Sequence, residues 1–128
     1  MRDTNAVGNV TEAMVLAALA RLGKRLLVPF GQGQRYDLLI DEGTKFVRVQ
    51  CKTGKLKSGC VLFKNFSRTD LGDKSYGDSV DAYGVYCPQN GKTYFVPASD
   101  CTVSWTTMRI DPPRNGMRNL RYAATYEI

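Results

Sequence analysis

An unusual pair of polar side chains interrupts the apolar stretch FVRVQCKTGK at residues 46–55. The stretch predicts a β-strand that ends in a basic turn, and Gln50 and Lys52 lie two positions apart, so that both project from one face. Val49 and Cys51 would project from the other face into the core. An amide oxygen can bind a cation and an ammonium can stabilise a developing negative charge, so the polar face is a candidate for catalytic chemistry.

Two carboxylates are expected to join this pair. The preceding strand and the strand of Gln50 form a predicted hairpin, turned by the sequence DEG at residues 41–43. If the hairpin buries its apolar face, Asp37 projects onto the face that carries Gln50 and Lys52. Glu12 continues the apolar stripe of the first predicted helix and should lie on its buried side, although the helix dipole alone can explain an acid near a helix start.

Two carboxylates, an amide oxygen and a lysine can together bind Mg²⁺ or Mn²⁺ through oxygen ligands. The metal would polarise a phosphodiester and lower the pKa of a bound water, while Lys52 would orient that water or stabilise negative charge. The chain has no histidine, which excludes Ser-His-Asp and Cys-His systems, His-ligated zinc and HNH-type nucleases. Its four cysteines show no CxxC spacing, so we expect free and mostly buried thiols.

The charge distribution favours a nucleic acid as the partner. The chain has 18 Lys and Arg against 12 Asp and Glu, a net charge of +6, and basic residues are concentrated between Glu42 and Asp70 and near the C-terminus. Two ordinary solvated faces remain an alternative. The candidate DNA-binding residues are Gln32, Gln34, Arg35, Lys55, Lys57, Lys64, Arg68, Arg109, Arg114 and Arg118.

The elements that must position these residues follow from periodicity and turn signals. Apolar residues at helical spacing predict one helix at Val10–Leu22, with Asn9 as the N-cap and Gly23 as the stop. Short strands are predicted at Arg25–Val28, Tyr36–Ile40, Lys45–Thr53, Cys60–Phe66, Tyr83–Cys87 and Thr93–Val96. One helix followed mainly by strands predicts an α/β (α+β) fold, with a sheet covered on at least one face.

The remaining segments carry fewer signals. We expect a polar loop at Ser67–Asp78, a short helical piece around residues 79–81, and an irregular basic tail at about residues 101–128 that contains a short strand at Met108–Ile110. The length fits one domain spanning residues 1–128. Trp105 is expected to anchor this tail in the core or to lie at a subunit interface.

Three acidic or basic residues also have structural explanations. Asp37 could pair with Arg35 or Arg48 instead of binding metal, Lys52 could extend to solvent from a strand end, and Asp81 could cap a helix.

The pattern resembles the PD-(D/E)XK nuclease superfamily, whose restriction-endonuclease-like core is an N-terminal helix packed on a central mixed sheet. Asp37 in RYDLLI matches the motif aspartate, and Gln50-Cys51-Lys52 matches the (E/Q)-x-K motif. Glu12 in VTEAMVLAAL matches the helix glutamate of many members, whereas Tyr36 replaces the motif proline.

The sequence is also similar to the branch of group I intron-encoded homing endonucleases, over nearly the whole chain. The matching stretches, in order, are VPFGQGQRYDLLID, VRVQCKTGKLKSGCVLF, DAYGVYCP, TYFVPAS, MRIDPPRNG and LRYAATYEI. This resemblance implies a Mg²⁺-dependent, site-specific endonuclease on double-stranded DNA that forms a homodimer or homotetramer. The implied catalytic residues are Glu12, Asp37, Gln50 and Lys52, and the implied metal ligands are Glu12, Asp37, Gln50 and the Cys51 carbonyl.

Two alternatives stay open at this point: a structure-specific nuclease such as a Holliday junction resolvase, and a non-catalytic DNA-binding module with the same fold. No apolar run approaches the roughly 20 residues of a membrane span, and MRDTNAVGN lacks the apolar segment of a signal peptide. We therefore expect a cytoplasmic protein with no membrane partner, encoded by a host, a phage or an intron.

Overall fold

The computed structural model describes residues 4–31, 34–69, 72–75, 80–111 and 121–128. Two helices and ten strands form in this part of the chain. In order they are α1 (Thr4–Arg21), β1 (Arg25–Leu27), β2 (Leu38–Asp41), β3 (Phe46–Thr53), β4 (Lys55–Lys57), β5 (Cys60–Lys64), β6 (Phe66–Thr69), β7 (Gly72–Ser75), β8 (Ala82–Cys87), β9 (Lys92–Pro97), a 3₁₀ turn (Ala98–Asp100), β10 (Trp105–Arg109) and α2 (Ala123–Tyr126).

Helix α1 begins at Thr4 rather than Val10, so the prediction of Asn9 as the N-cap is wrong, because Asn9 lies inside the helix. The low helix propensity of Gly8 and Asn9 is a weak preference that tertiary packing overrides. The predicted stop at Gly23 is confirmed. Gly23 has φ of 79°, and the amide of Lys24 donates to the carbonyl of Leu19 at 3.2 Å, which is the Schellman ending that glycine favours.

A five-stranded mixed sheet in the order β1-β2-β3-β8-β9 lies under α1. Strands β3 and β8 are parallel, and the other neighbours are antiparallel. The helix buries Val15 and Leu19 against Leu38, Ile40, Val49 and Cys51. This architecture confirms the predicted α/β class with an N-terminal helix on a central mixed sheet.

The close approach of the helix depends on Gly84 in β8. A Cβ added to Gly84 would overlap the Cγ1 methyl of Val15. Because Cys51 lies opposite Gly84 in the parallel ladder, the same close approach sets the distance between α1 and β3.

A second sheet, in the order β10-β5-β4, packs on the other side. Its Val61, Phe63 and Met108 form a second core cluster with β8 and β9 residues such as Val85. The chain passes from the first sheet to the second at Gly54, the single residue between β3 and β4. A Cβ at Gly54 would lie 3.0 Å from methyl groups of both Val61 and Val85, so a side chain at the crossing would require these valines to shift.

Three segments differ from their predictions. The predicted loop at Ser67–Asp78 is wrong where the structure describes it, because β6 and β7 pair as a hairpin. Polar residues can form this ladder, since its hydrogen bonds join backbone groups and need no apolar face. Val80 and Asp81 are not helical, since the amide of Asp81 already bonds to the Arg48 carbonyl in β3 at 2.8 Å.

Regular structure also continues after Cys101, as the strand β10 and the short helix α2. Backbone pairing with β5 orders β10 from Trp105 to Arg109, whereas its sequence predicted only a short strand near Met108.

All four cysteines are free, as predicted, and Cys101 is the most accessible of them. Among the described residues, no helix combines the length and apolar character needed to cross a membrane.

Candidate active site

Strand β3 extends beyond the end of β2, so the last residues of β3 are not covered by β2 on that side. The last pair of this ladder is Leu38 opposite Val49, and β3 continues to Thr53. Asp37 occupies the open edge: its amide donates to the Val49 carbonyl at 2.8 Å, and its Oδ2 accepts from the Cys51 amide at 2.8 Å. In a strand, the N–H and C=O of one residue point to the same edge, so the Cys51 carbonyl also points towards Asp37.

Glu12 approaches this edge from the helix. Its neighbour Thr11 is 2% exposed, and the Thr11 and Thr53 hydroxyls lie 2.6 Å apart as a hydrogen-bonded pair. This bond fastens the first half of α1 to the end of β3. A cleft of about 310 Å³ lies there, lined by residues that include Glu12, Gln34, Tyr36 and Asp37. We call Glu12, Asp37 and the adjacent β3 segment the carboxylate edge.

Partial burial controls the electrostatics of this edge. Desolvation raises the pKa of Asp37, and the Cys51 amide and the Lys52 ammonium act in the opposite direction. Desolvation also raises the pKa of Glu12, and the charge of Asp37 raises it further. A bound cation would offset both the desolvation of the two carboxylates and the repulsion between them. The pair is therefore a candidate cation site.

The strand alternation predicted for β3 is the one observed. Val49 and Cys51 face α1, whereas Gln50 and Lys52, both half-buried, lie opposite Tyr83 and Val85 in the parallel ladder. Glu12 therefore approaches from the helix side and Lys52 from the other face. The carboxylate edge straddles the end of the sheet rather than lying on one face.

The donor set fits a hard divalent cation. Burial raises the pKa of the Cys51 thiol, and the charges of Asp37 and Glu12 raise it further, so the thiol stays protonated at neutral pH and only the Cys51 carbonyl is a candidate ligand. In the part of the chain that the structure describes, no three His, Cys, Asp or Glu side chains cluster as a metal site. Two carboxylates completed by neutral oxygens and waters remain, a set that Mg²⁺ accepts.

Arg48, considered above as a partner of Asp37, instead binds Asp81. The Arg48 Nη2 and Nε donate to the two Asp81 oxygens at 3.1 Å each, and the Arg48 amide donates to Oδ2 at 2.9 Å. The bond from Arg48 lowers the pKa of Asp81. Asp81 therefore joins β3 to the start of β8, and the prediction that it caps a helix is wrong.

The candidate DNA-binding residues separate into groups. Gln34 lines the cleft beside Asp37, and Arg35 is half-buried in the same segment. Four cations lie on the second sheet, and their positions are Lys55, Lys57, Lys64 and Arg109. Arg68 lies in β6, and Gln32, Arg114 and Arg118 lie outside the described residues.

One contact at the carboxylate edge and one side chain on the second sheet differ from what the sequence indicated. The contact between Thr11 and Thr53 joins residues 42 positions apart, and no local pattern predicts it. Trp105 was expected in the core or at a subunit interface, and its side chain is 48% exposed, so the core alternative is wrong.

Comparison with known proteins decides the family. A family model described as PD-(D/E)XK endonuclease matches residues 2–128. The chain belongs to the PD-(D/E)XK endonuclease family. It is therefore a DNA endonuclease, and nucleases of this family typically use divalent metal ions.

The fold of this endonuclease is also found in a solved structure of the bacterial homing endonuclease I-Ssp6803I. The two chains superpose with a TM-score of 0.71 at 19% sequence identity, over 98% of this chain and 89% of the other. At this identity the likeness establishes the shared fold. Among functionally curated protein sequences, none matches this endonuclease.

Proposed function

We propose that this endonuclease hydrolyses phosphodiester bonds of double-stranded DNA at specific sites, with Mg²⁺ or Mn²⁺ bound by Glu12 and Asp37. The observation that carries the proposal is the pair of partly buried carboxylates with raised pKa values, beside Lys52 and the open edge of β3. If the two carboxylates were only structural, each would instead form an ion pair with its own Lys or Arg side chain.

The residues of this edge have distinct proposed roles. When bound, a divalent cation would polarise the scissile phosphate and lower the pKa of a water. Asp37 is held in place through Oδ2 by the Cys51 amide, so its other oxygen, Oδ1, is the proposed ligand atom. Lys52, whose charge already acts on Asp37, would donate a hydrogen bond to the attacking water or to a phosphate oxygen and so stabilise negative charge there. The Cys51 carbonyl supplies a neutral ligand.

Gln50 is proposed as a further ligand or as the residue that orients the water. An amide supplies an oxygen but no charge. Glu12 and Asp37 alone would then neutralise the cation, so its affinity should be lower than in a site with three carboxylates.

We further propose a homing-type role for the chain as one nuclease domain acting on intracellular DNA. A chain of 128 residues is small for reading a long site. A symmetric dimer or tetramer extends the contacts, and its symmetry sets the spacing of two cuts. The similarity of the sequence to intron-encoded homing endonucleases, and the fold shared with one bacterial homing endonuclease, support this role.

Cleavage assays with end mapping test the proposal. Plasmid and genomic DNA are incubated with and without Mg²⁺, and we expect discrete fragments with Mg²⁺ only. Lys52→Ala should lower the rate by about 100-fold or more, the range for removing one transition-state donor. A Lys52→Ala protein that cuts as fast as the wild type would contradict the catalytic assignment. Preferential cleavage of a four-way junction over linear duplex would favour a resolvase instead.

A further inference from the structure

The outer face of the second sheet carries an aromatic side chain among cations. In β5 and β10 the residues Val61, Phe63, Thr106 and Met108 are fully buried, so the alternating residues between them project outwards. The outward positions on β4, β5 and β10 include Lys55, Lys57, Leu62, Lys64, Trp105 and Arg109. The sequences of these three strands contain no acidic residue. We call this surface the basic face.

The strand register brings its members together. Trp105 pairs with Lys64 across β10 and β5, and Lys55 pairs with Leu62 across β4 and β5. Directly opposite residues on one face have Cβ atoms roughly 4.5–5.5 Å apart. The side chains of Trp105 and Lys64 therefore leave the sheet from adjacent positions, and that of Lys55 leaves it from β4 on the other side of β5.

A groove runs along this face to the end of β3. It encloses about 720 Å³ and its lining includes Thr53, Gly54, Lys55, Lys64 and Trp105. Lys55 follows Lys52 by three residues, which span at most about 11 Å. The near end of the groove is therefore within about three base-pair rises of the candidate catalytic lysine.

The backbone that carries Trp105 is held rigidly although the side chain is half exposed. Asn65 and Thr106 are buried, and the Thr106 hydroxyl donates to Asn65 Oδ1 at 3.3 Å. Asn65 in turn donates to the Thr102 carbonyl, and the Thr102 hydroxyl donates to the Trp105 carbonyl. These bonds order the backbone on which the exposed ring is carried, and an exposed aromatic side chain on an ordered backbone is suited to binding.

We propose that the basic face binds the DNA backbone next to the scissile phosphate, with Lys55 and Lys64 at phosphates and Trp105 packed against a deoxyribose. This rests on the proposed function, because the face would present the substrate to the carboxylate edge. A two-fold contact between subunits is disfavoured here, since it would bring the same cations of both subunits together. The charge and the exposed ring match a polyanion with apolar sugars.

Tryptophan fluorescence tests the inference directly, because Trp105 is the only tryptophan of the chain. Duplex DNA is titrated into the protein in EDTA, so that no cleavage occurs. We expect the emission of the wild type to change on binding. In a gel-shift assay with the same DNA, which needs no tryptophan, Trp105→Ala should raise the Kd about 10-fold, as truncation of a central aromatic contact does. Trp105→Phe should restore most of the affinity. The matched control is Phe46→Ala, an aromatic 58% exposed at the start of β3.

The salt dependence tests the two lysines. Lys55→Ala and Lys64→Ala should each reduce the slope of log K against log salt concentration by about 0.9, the value for one phosphate contact on duplex DNA. Lys24→Ala should leave the slope unchanged. Lys24 follows α1 and lies 17 positions after Val7, a groove residue, or roughly 25 Å along the helix axis.

The outcomes separate the two proposals. Unchanged emission, together with wild-type affinity for Trp105→Ala, would overturn the inference, and a loss of oligomer mass in that variant would assign the face to a subunit contact instead. If the emission and slopes change as expected but Mg²⁺ produces no cleavage, the proposed function fails and the binding face stands.

Discussion

The carboxylate edge and the basic face would act on the same DNA strand, yet they hold their charges differently. Glu12 and Asp37 are drawn into a partly buried corner that raises their pKa values. The lysines of β4 are exposed, and Lys64 is half-buried on β5. Burying the charges of the carboxylate edge lowers the stability of the fold, whereas the more exposed charges of the basic face lower it little. Chemistry needs desolvated groups at fixed positions, and backbone binding needs only charge at the right spacing.

The largest effect is expected from a variant that removes charge from the carboxylate edge alone. Asp37→Asn keeps the side-chain shape but removes a carboxylate ligand, so we expect cleavage to fall by about 100-fold or more. The Kd for DNA in EDTA should stay within about twofold, or tighten, because one negative charge is lost. Single-turnover cleavage and fluorescence titration measure the two quantities. Asp41→Asn, in the same strand pair, is the control, and a matching loss in both assays would show that the regions are not separable.

A second variant acts on the packing that positions Glu12. Gly84→Ala places a methyl group against Val15, and such overpacking costs about 1–3 kcal/mol of unfolding free energy. Urea denaturation measures this cost. Gly8→Ala is the matched change within α1, where a Cβ meets nothing within 4 Å, and it should stabilise the chain by up to about 1 kcal/mol. Equal stabilities for both variants would mean that α1 does not rest tightly on β8.

The neutral ligand proposed for Gln50 gives a smaller effect. Gln50→Glu adds a charge near the cation, and at 4 Å in water this is worth about 1 kcal/mol, or roughly fivefold in affinity. Calorimetric titration with Mg²⁺ and Mn²⁺ should show equal or tighter binding. Abolished metal binding in a folded variant would remove Gln50 from the ligand set.

The smallest effect is the stability cost of the edge itself. A carboxyl whose pKa is raised by folding holds its proton more tightly in the folded chain, so it favours folding at low pH and loses this contribution as the pH rises through the raised pKa. Glu12→Gln removes this loss and should raise the metal-free melting temperature at pH 7 by about 1–2 °C, because solvent still screens the half-buried group.

Melting curves with and without Mg²⁺ check the Glu12→Gln prediction. At pH 4 the difference between the variant and the wild type should shrink, since the raised pKa of Glu12 favours its protonated form there. Mg²⁺ should raise the melting temperature of the wild type more than that of the variant. A variant that is less stable than the wild type at pH 7 would show that the carboxylate is structurally favourable.

The sequence was most informative where structure is local. Alternation in β3 correctly separated Gln50 and Lys52 from Val49 and Cys51, and the glycine after α1 marked its end. The contacts that join distant segments carried no local signal: the bond between Thr11 and Thr53, and the Arg48–Asp81 pair, depend on tertiary packing. Trp105 was expected in the core or at a subunit interface, and only its place in β10 beside β5, with a side chain 48% exposed, excludes the core.

The division into two sheets was equally hidden, because Gly54 in TGK reads as an ordinary turn residue. Its tight contacts with Val61 and Val85 arise only when both sheets are in place. Polar β6 and β7 lacked the apolar alternation by which strands are recognised.

Gly54 has one further consequence. A strand residue advances the chain by about 3.3 Å, nearly the 3.4 Å between successive phosphates along the axis of a duplex strand. Gly54 is the single residue between β3 and β4. The length of the chain therefore fixes the distance from Lys52 to Lys55, the first cation of the basic face. If the basic face binds DNA as proposed, an extra residue inserted there should shift the cut by about one nucleotide relative to the bound backbone.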